Sequence, residues 1–410
     1  MKRVILVSYH FPPCGGKAVQ RALKLVKYLP EFGWEPIVFT MPFTGSGVPT
    51  DLTLLDELPP GIQIFRPKFR SGWNLIPHDI RKYVYSPIPD RFRTWADAVK
   101  DKLFMLIKTS GARALITTSP THSTQLLGLA VKEETGIPWI ADFRDPWTGH
   151  PDFSEKKHAD RMQEMEASVL KAADAVVGVY PKILRDFEAS VSRVKLHLLE
   201  NGYDEDDFRL VDWNKKTGKT SLWLGYNGTV SDFHNPVPLL EPLESLVKGG
   251  GLEPDTLRLV FTTGESGSKR FAPFHTLRKT GILKVHNYLP HTESLARLAE
   301  MDVSLLLLTK GINIYPGKVF EYFYLGNPIL SLSTPGDDLD MLIRETGGGT
   351  VINYRDSEAV KTAVLKLIDM KKNRELPQFS PNREKINRFS RRRIAERYAE
   401  ILEKISGARH

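Results

Sequence analysis

The side chains best suited to chemistry fall in a few short stretches. Ile314-Tyr315-Pro316-Gly317-Lys318-Val319-Phe320-Glu321-Tyr322 runs on to Gly326-Asn327-Pro328. Pro316-Gly317 makes a turn, a short helix follows, and Gly326 ends it. Lys318 then sits in the first turn, where an ammonium and the helix dipole together would hold a phosphate. Glu321, three residues on, shares that face, and its carboxylate can accept two hydrogen bonds from a vicinal diol such as that of a ribose. An ordinary Lys318–Glu321 surface pair is the alternative. In Tyr226-Asn227-Gly228-Thr229-Val230, Gly228 lets backbone N–H groups approach a diphosphate and the Thr229 hydroxyl adds a donor, with His234 close by; a plain turn is the alternative. Asp142, Arg144 and Asp145 crowd the stretch Ala141 to Trp147, which suits hydroxyl or phosphate recognition and proton transfer, or else a structural Asp–Arg pair. His122 falls at the end of the preceding apolar run. Gly15-Gly16, ahead of Lys17, allows close backbone approach to an anion, or merely relieves a turn.

These stretches need elements to place them. Val4 to Ser8 reads as a buried strand, and Ala18 to Leu29 as a helix. On that helix Val19, Ala22, Leu23, Val26 and Leu29 share one face, while Lys17, Arg21, Lys24 and Lys27 line another. Short apolar runs follow at Pro36–Thr40, Ile62–Phe65, Ala114–Thr118, Trp139–Asp142, Ala175–Tyr180 and Lys195–Leu199, several of them separated by segments of helical period. The alternation restarts at Ser221–Tyr226 and continues through Leu257–Thr263, Ile282–His286, Val303–Thr309, Pro328–Ser333 and Thr350–Ile352. Such alternation predicts α/β architecture with parallel sheets covered by helices on both faces. The polar stretch Asn201 to Asp207 and the lysine-rich Trp213 to Lys219 mark a boundary between two α/β domains. Ser390 to Ile405, with Ile394, Tyr398, Ile401, Leu402 and Ile405 at helical spacing, predicts an amphipathic terminal helix docked on the body.

Composition narrows the function classes. A chain of 410 residues suits two or three domains and buries a core without staples. Its single cysteine, Cys14, excludes an intramolecular disulfide framework and multi-cysteine zinc sites. No apolar run approaches the roughly 18–20 residues of a spanning helix. The apolar stretch after Met1-Lys2-Arg3 is too short for a signal peptide, so a cytoplasmic location is expected. The net charge of +8 favours anionic partners without choosing among them. It is scattered and no groove-reading motif accompanies it, so nucleic acid is not expected as a partner. The acidic runs Asp204 to Asp207 and Asp337 to Asp340 read as solvated loops, and no metal site is expected.

Together these pieces resemble glycosyltransferase family 4. The resemblance rests on the glycine loop Pro12 to Lys17, Asn201-Gly202-Tyr203-Asp204, the Gly228-Thr229 turn, Tyr288-Leu289-Pro290 to Glu293, and Pro316-Gly317-Lys318 to Pro328, in the family's order over nearly the whole length. It implies two Rossmann-like domains facing across a cleft (the GT-B fold): 1–205 for the acceptor, 206–385 for the nucleotide sugar, and 386–410 returning to the N-terminal domain. Glu321 would bind the ribose hydroxyls, Lys318 and the Gly228-Thr229 backbone the diphosphate, and residues around Tyr288 the base. The acceptor would enter near Gly15, Gly16, His122 and Asp142 to Asp145. Transfer would retain the anomeric configuration, with no cofactor and no metal. Two departures stand out: Asn313 occupies the place of a second glutamate that touches the donor sugar, and His234 lies where arginine or lysine is common.

The reading is therefore a retaining glycosyltransferase that moves a sugar from a nucleoside-diphosphate sugar to a hydroxyl acceptor, with a lipid-linked acceptor or a cell-surface polysaccharide precursor as candidates. The aromatic-basic stretch Arg66 to Lys108 could rest on an anionic membrane at the inner face. A sugar-nucleotide epimerase or a phosphorylase on the same scaffold, and a basic nucleic-acid-binding module, are the alternatives.

Overall fold

In a computed structural model of the chain the described residues are 1–43, 50–69, 88–148, 158–213, 220–376 and 382–407. Residues 70–87 of the aromatic-basic stretch lie outside them, as does 214–219 of the lysine-rich segment. The chain divides into two compact units, Met1–Asn201 with Arg391–His410, and Gly202–Ser390.

Unit 1 is built on a parallel sheet of β1 (Lys2–Ser8), β2 (Trp34–Phe39), β3 (Gln63–Phe65), β4 (Ala112–Thr118), β5 (Trp139–Phe143), β6 (Ala175–Gly178) and β7 (Leu196–Leu198). Their spatial order is β3-β2-β1-β4-β5-β6-β7. Val4 to Val7 are wholly buried because β1 is central and covered on both faces, which is why the run is continuously apolar rather than alternating. The terminal helix Arg391–Gly407 belongs to this unit: Ile394, Ala395, Tyr398, Ala399, Ile401 and Leu402 join the cluster of Ala22, Leu25, Val26 and Leu29. That contact changes the reading of the helix Lys17–Tyr28. Two residues of its basic face are interior as well, Arg21 and Lys24, each 1% exposed. Buried cations require partners. Lys24 finds Glu57 at 2.5 Å, and Arg21 finds Asp142 at 2.9 Å.

Unit 2 repeats the plan with β8 (Leu222–Asn227), β9 (Leu257–Thr262), β10 (Leu283–His286), β11 (Val303–Leu307), β12 (Ile329–Ser333) and β13 (Gly349–Asn353), all parallel, in the order β10-β9-β8-β11-β12-β13. Leu222, Leu224, Leu305, Leu307, Leu330 and Leu332 pack with Leu239, Leu243, Val360 and Val364 of two covering helices. Residues 386–390 stay with this unit, where Phe389 packs on Phe320 at 4.8 Å between ring centroids. The acidic runs are not solvated loops. Asp204 accepts from the Asp206 N–H and Asp337 from the Asp340 N–H, so they cap the starts of helical turns, and Asp204, Asp207, Asp338 and Asp340 are buried. Among the described residues no helix is long and apolar enough to cross a membrane.

Candidate active site

Doubly wound sheets take ligands beyond the carboxyl ends of their strands, where the strand order reverses. In unit 2 that point lies between β8 and β11. The loop after β8 begins with Gly228-Thr229, and the segment after β11 leads to the helix Lys318–Leu325. Gly228 has φ +131°, which side chains disfavour, and a β-carbon there would lie 2.8 Å from Lys318 Nζ. The turn and the ammonium are therefore in contact.

Lys318 is buried, which removes the surface-pair alternative. Its Nζ donates to the Asn227 carbonyl at 2.8 Å and stands 3.9 Å from the Tyr226 ring centroid. Glu321, one turn further along the same helix, is partly open to solvent, and its Oε1 lies 3.0 Å from His291 Nε2. A carboxylate only accepts, so that ring nitrogen carries the proton. Asp207 Oδ2 is 3.8 Å from the other ring nitrogen, Nδ1. Thr229 is exposed, and its carbonyl accepts from the Tyr226 hydroxyl at 2.8 Å. His234 Nδ1 donates to the Leu307 carbonyl at the end of β11, 2.8 Å away. Asn313 Oδ1 accepts from the Asp338 N–H at 3.1 Å, at the start of the helix Asp338–Thr346. Tyr288 is 67% exposed beyond the end of the outer strand β10.

In unit 1 the order reverses between β1 and β4. Gly15 is buried. Gly16, at φ +89°, precedes the helix Lys17–Tyr28, which has no side-chain cap and no acidic residue in its first turn. His122 is buried and stacks on Trp147, with centroids 5.3 Å apart and planes 9° from parallel. In the Asp142-Arg144-Asp145 stretch, Asp142 and Arg144 take different hydrogen-bond partners. Asp142 is wholly buried and takes Arg21 in two bonds, Nε at 2.9 Å and Nη2 at 3.1 Å, with the Thr118 hydroxyl at 2.6 Å. Arg144 reaches instead to the Ala18 carbonyl at 2.7 Å, and burial lowers its pKa from the ordinary value. Asp145 is half-buried, with its charge close enough to act on Arg144. Nearby, burial first, then Arg91 and Arg144, hold the His10 pKa below the usual histidine range.

Sequence reasoning passed over Arg21 and His291. Arg21 was visible as part of the basic stripe, but its partner lies 121 residues away. His291 opens the helix His291–Ala299 and sits inside a stretch that carried the family resemblance, yet nothing local marks it.

The sequence matches no protein-family model and no curated protein. Solved structures do match. A sucrose-phosphate synthase from Thermosynechococcus elongatus is 15% identical, covers 100% of each chain and has a TM-score of 0.70. Anabaena Alr3699/HepE, solved with UDP and glucose, is 13% identical over 98% of this chain and 100% of its own, with a TM-score of 0.66. The fold is GT-B. The same fold also carries other chemistry, since a putative UDP-N-acetylglucosamine 2-epimerase from Listeria monocytogenes matches at a TM-score of 0.61 and 12% identity over 98% of this chain and 96% of its own.

Proposed function

We propose that this chain is a glycosyltransferase that takes a nucleoside-diphosphate sugar as donor and a hydroxyl compound as acceptor. The observation that carries the reading is in unit 2: the Gly228 turn touches the Lys318 ammonium at the strand-order reversal, and Glu321 stands one turn along the same helix. A diphosphate would meet the ammonium and the backbone N–H groups of the turn, while a vicinal diol would meet the carboxylate. Transfer then needs the departing diphosphate stabilised by fixed positive ends, a role that a preorganised lysine and helix N-terminus can fill. Retention of configuration and independence from metal are part of the proposal.

The test is a thermal-shift titration with UDP, GDP, dTDP, ADP and CMP, each with and without magnesium. A ligand at a hundred times its Kd stabilises the bound fold by about 2.7 kcal/mol. The expected result is a shift with one diphosphate, independent of magnesium and lost in Glu321→Ala. Equal shifts for native protein and Glu321→Ala would remove the donor-site assignment.

The likeness to the putative epimerase favours a second reading, epimerisation of the sugar nucleotide on the same scaffold. Incubation with labelled sugar nucleotide separates the two: released nucleoside diphosphate plus a glycosylated acceptor supports transfer, and an epimerised nucleotide without release supports the alternative. For the acceptor, we propose a lipid-linked or polysaccharide-precursor hydroxyl met at the inner membrane face; flotation with anionic liposomes at low salt checks the membrane contact that this requires.

A further inference from the structure

The first turn of the helix His291–Ala299 is tied to both charged groups of the proposed donor site. His291 Nε2 meets Glu321 Oε1 at 3.0 Å. The Ser294 hydroxyl donates back to the His291 carbonyl at 3.0 Å, and the Ser294 carbonyl accepts from Asn227 Nδ2 at 2.5 Å. Asn227 in turn offers its own carbonyl to Lys318 Nζ at 2.8 Å. Behind the imidazole, Asp207 Oδ2 lies 3.8 Å from Nδ1, with the Asp207 side chain only 9% exposed. The ring thus lies near a buried carboxylate on its Nδ1 side and presents its Nε2–H to a second carboxylate that remains 24% exposed.

We infer that His291 is a positioning residue for the donor: it fixes the Glu321 carboxylate so that the site distinguishes a ribose from a 2′-deoxyribose. A glutamate side chain has three rotatable bonds, and a carboxylate that must accept from two neighbouring hydroxyls loses that ability if it rotates. One charge-assisted bond from the imidazole removes most of that freedom before the ligand arrives. The same helical turn secures Lys318 through Ser294 and Asn227, so diphosphate and ribose contacts are set against one frame. This inference rests on the donor-site reading of Glu321.

Isothermal titration of the full chain with UDP and 2′-deoxy-UDP, with GDP, ADP and their 2′-deoxy forms in parallel, tests it. Native protein should prefer the ribonucleotide by about ten-fold, as expected for loss of a hydrogen bond to a charged group. His291→Ala should weaken ribonucleotide binding by about ten-fold, abolish the preference, and add nothing further in the Glu321→Ala background. His291→Gln, whose amide N–H can reach Glu321, should restore most of the preference. A general structural role would lower the melting temperature and leave the ratio of ribo- to deoxyribonucleotide affinity intact. Native-like preference in His291→Ala, or losses that simply add in the double variant, would overturn the positioning role alone. Unchanged binding in Glu321→Ala, or no diphosphate bound by native protein, would overturn the donor-site reading and this inference with it. If His291→Ala melts below native protein, His291→Leu, closer to the imidazole in volume, is read by the same comparisons.

Discussion

Replacing Asp142 by asparagine isolates what the buried pair in unit 1 does. Arg21 is 1% exposed and reaches Asp142 twice, the Glu200 and Leu199 carbonyls at 2.9 Å each, and the Tyr398 hydroxyl at 2.8 Å. Asp142→Asn keeps the shape and removes the countercharge, leaving a guanidinium out of water beside an amide N–H₂ where a carboxylate oxygen stood. Breaking a buried ion pair from one side costs about 3–5 kcal/mol, because the surviving charge is uncompensated. For a unit of this size each kcal/mol moves Tm by about 2–4 °C, so a fall on the order of 10 °C is expected by calorimetry. Tyr398 comes from the terminal helix, so limited proteolysis should cut that helix earlier in the variant than in native protein. Pairing the change with Arg21→Met should recover part of the loss, since no charge is then stranded. A variant that melts within about 2 °C of native protein would refute this reasoning. Native stability with activity abolished would instead return Asp142 to the chemistry.

Gly228→Ala should weaken nucleotide binding by about ten-fold and cost on the order of 1–2 kcal/mol of stability, because φ is +131° and the new β-carbon meets Lys318 Nζ at 2.8 Å; titration and thermal melts check both. Glu244 predicts an acid limb in unit 2. Burial pushes its pKa up, but bonds from Thr276, Leu277 and Lys248 outweigh burial and bring it down to about 2. Its contribution is therefore complete above its unfolded pKa of 4.5 and lost as pH falls from there towards 2. Glu244→Gln should lower the urea midpoint at pH 7 and converge on native protein near pH 2–3, and a gap that stays constant with pH would count against this assignment.

The sheets were legible because their strands are buried on both faces. Val4 to Val7 and Leu305 to Leu307 are continuous apolar runs, and an element that needs no alternation announces itself. The helix at Lys318 was legible from Pro316-Gly317 before it and Gly326 after it, the latter at φ +77° as a left-handed cap. Side-chain pairings were not legible. A basic stripe on a helix reads the same whether it faces water or a second helix, and only the docking of Arg391–Gly407 puts Arg21 indoors. Asn313 illustrates a related limit: nothing local shows that its amide oxygen accepts from the Asp338 N–H at the start of the helix Asp338–Thr346, 25 residues on in sequence. His291 needs Glu321, 30 residues on, and local periodicity carries no information at that range.

The two units share one winding order and use its reversal point differently. In unit 1 the strand-end carboxylate, Asp142, is 0% exposed and already satisfied by a guanidinium and a hydroxyl, so nothing arriving from solvent can reach it without unfolding the pair. In unit 2 the carboxylate near the reversal, Glu321, is carried by the helix after β11 and keeps 24% of its side chain exposed, and the histidine that steers it keeps 29%. A group meant to hold a ligand must retain access and yet be oriented, and the second arrangement meets both conditions while the first meets only the second. It follows that loss of activity on changing Asp142 has to be judged against stability, whereas loss on changing Glu321 with an unchanged melting temperature speaks directly about the ligand.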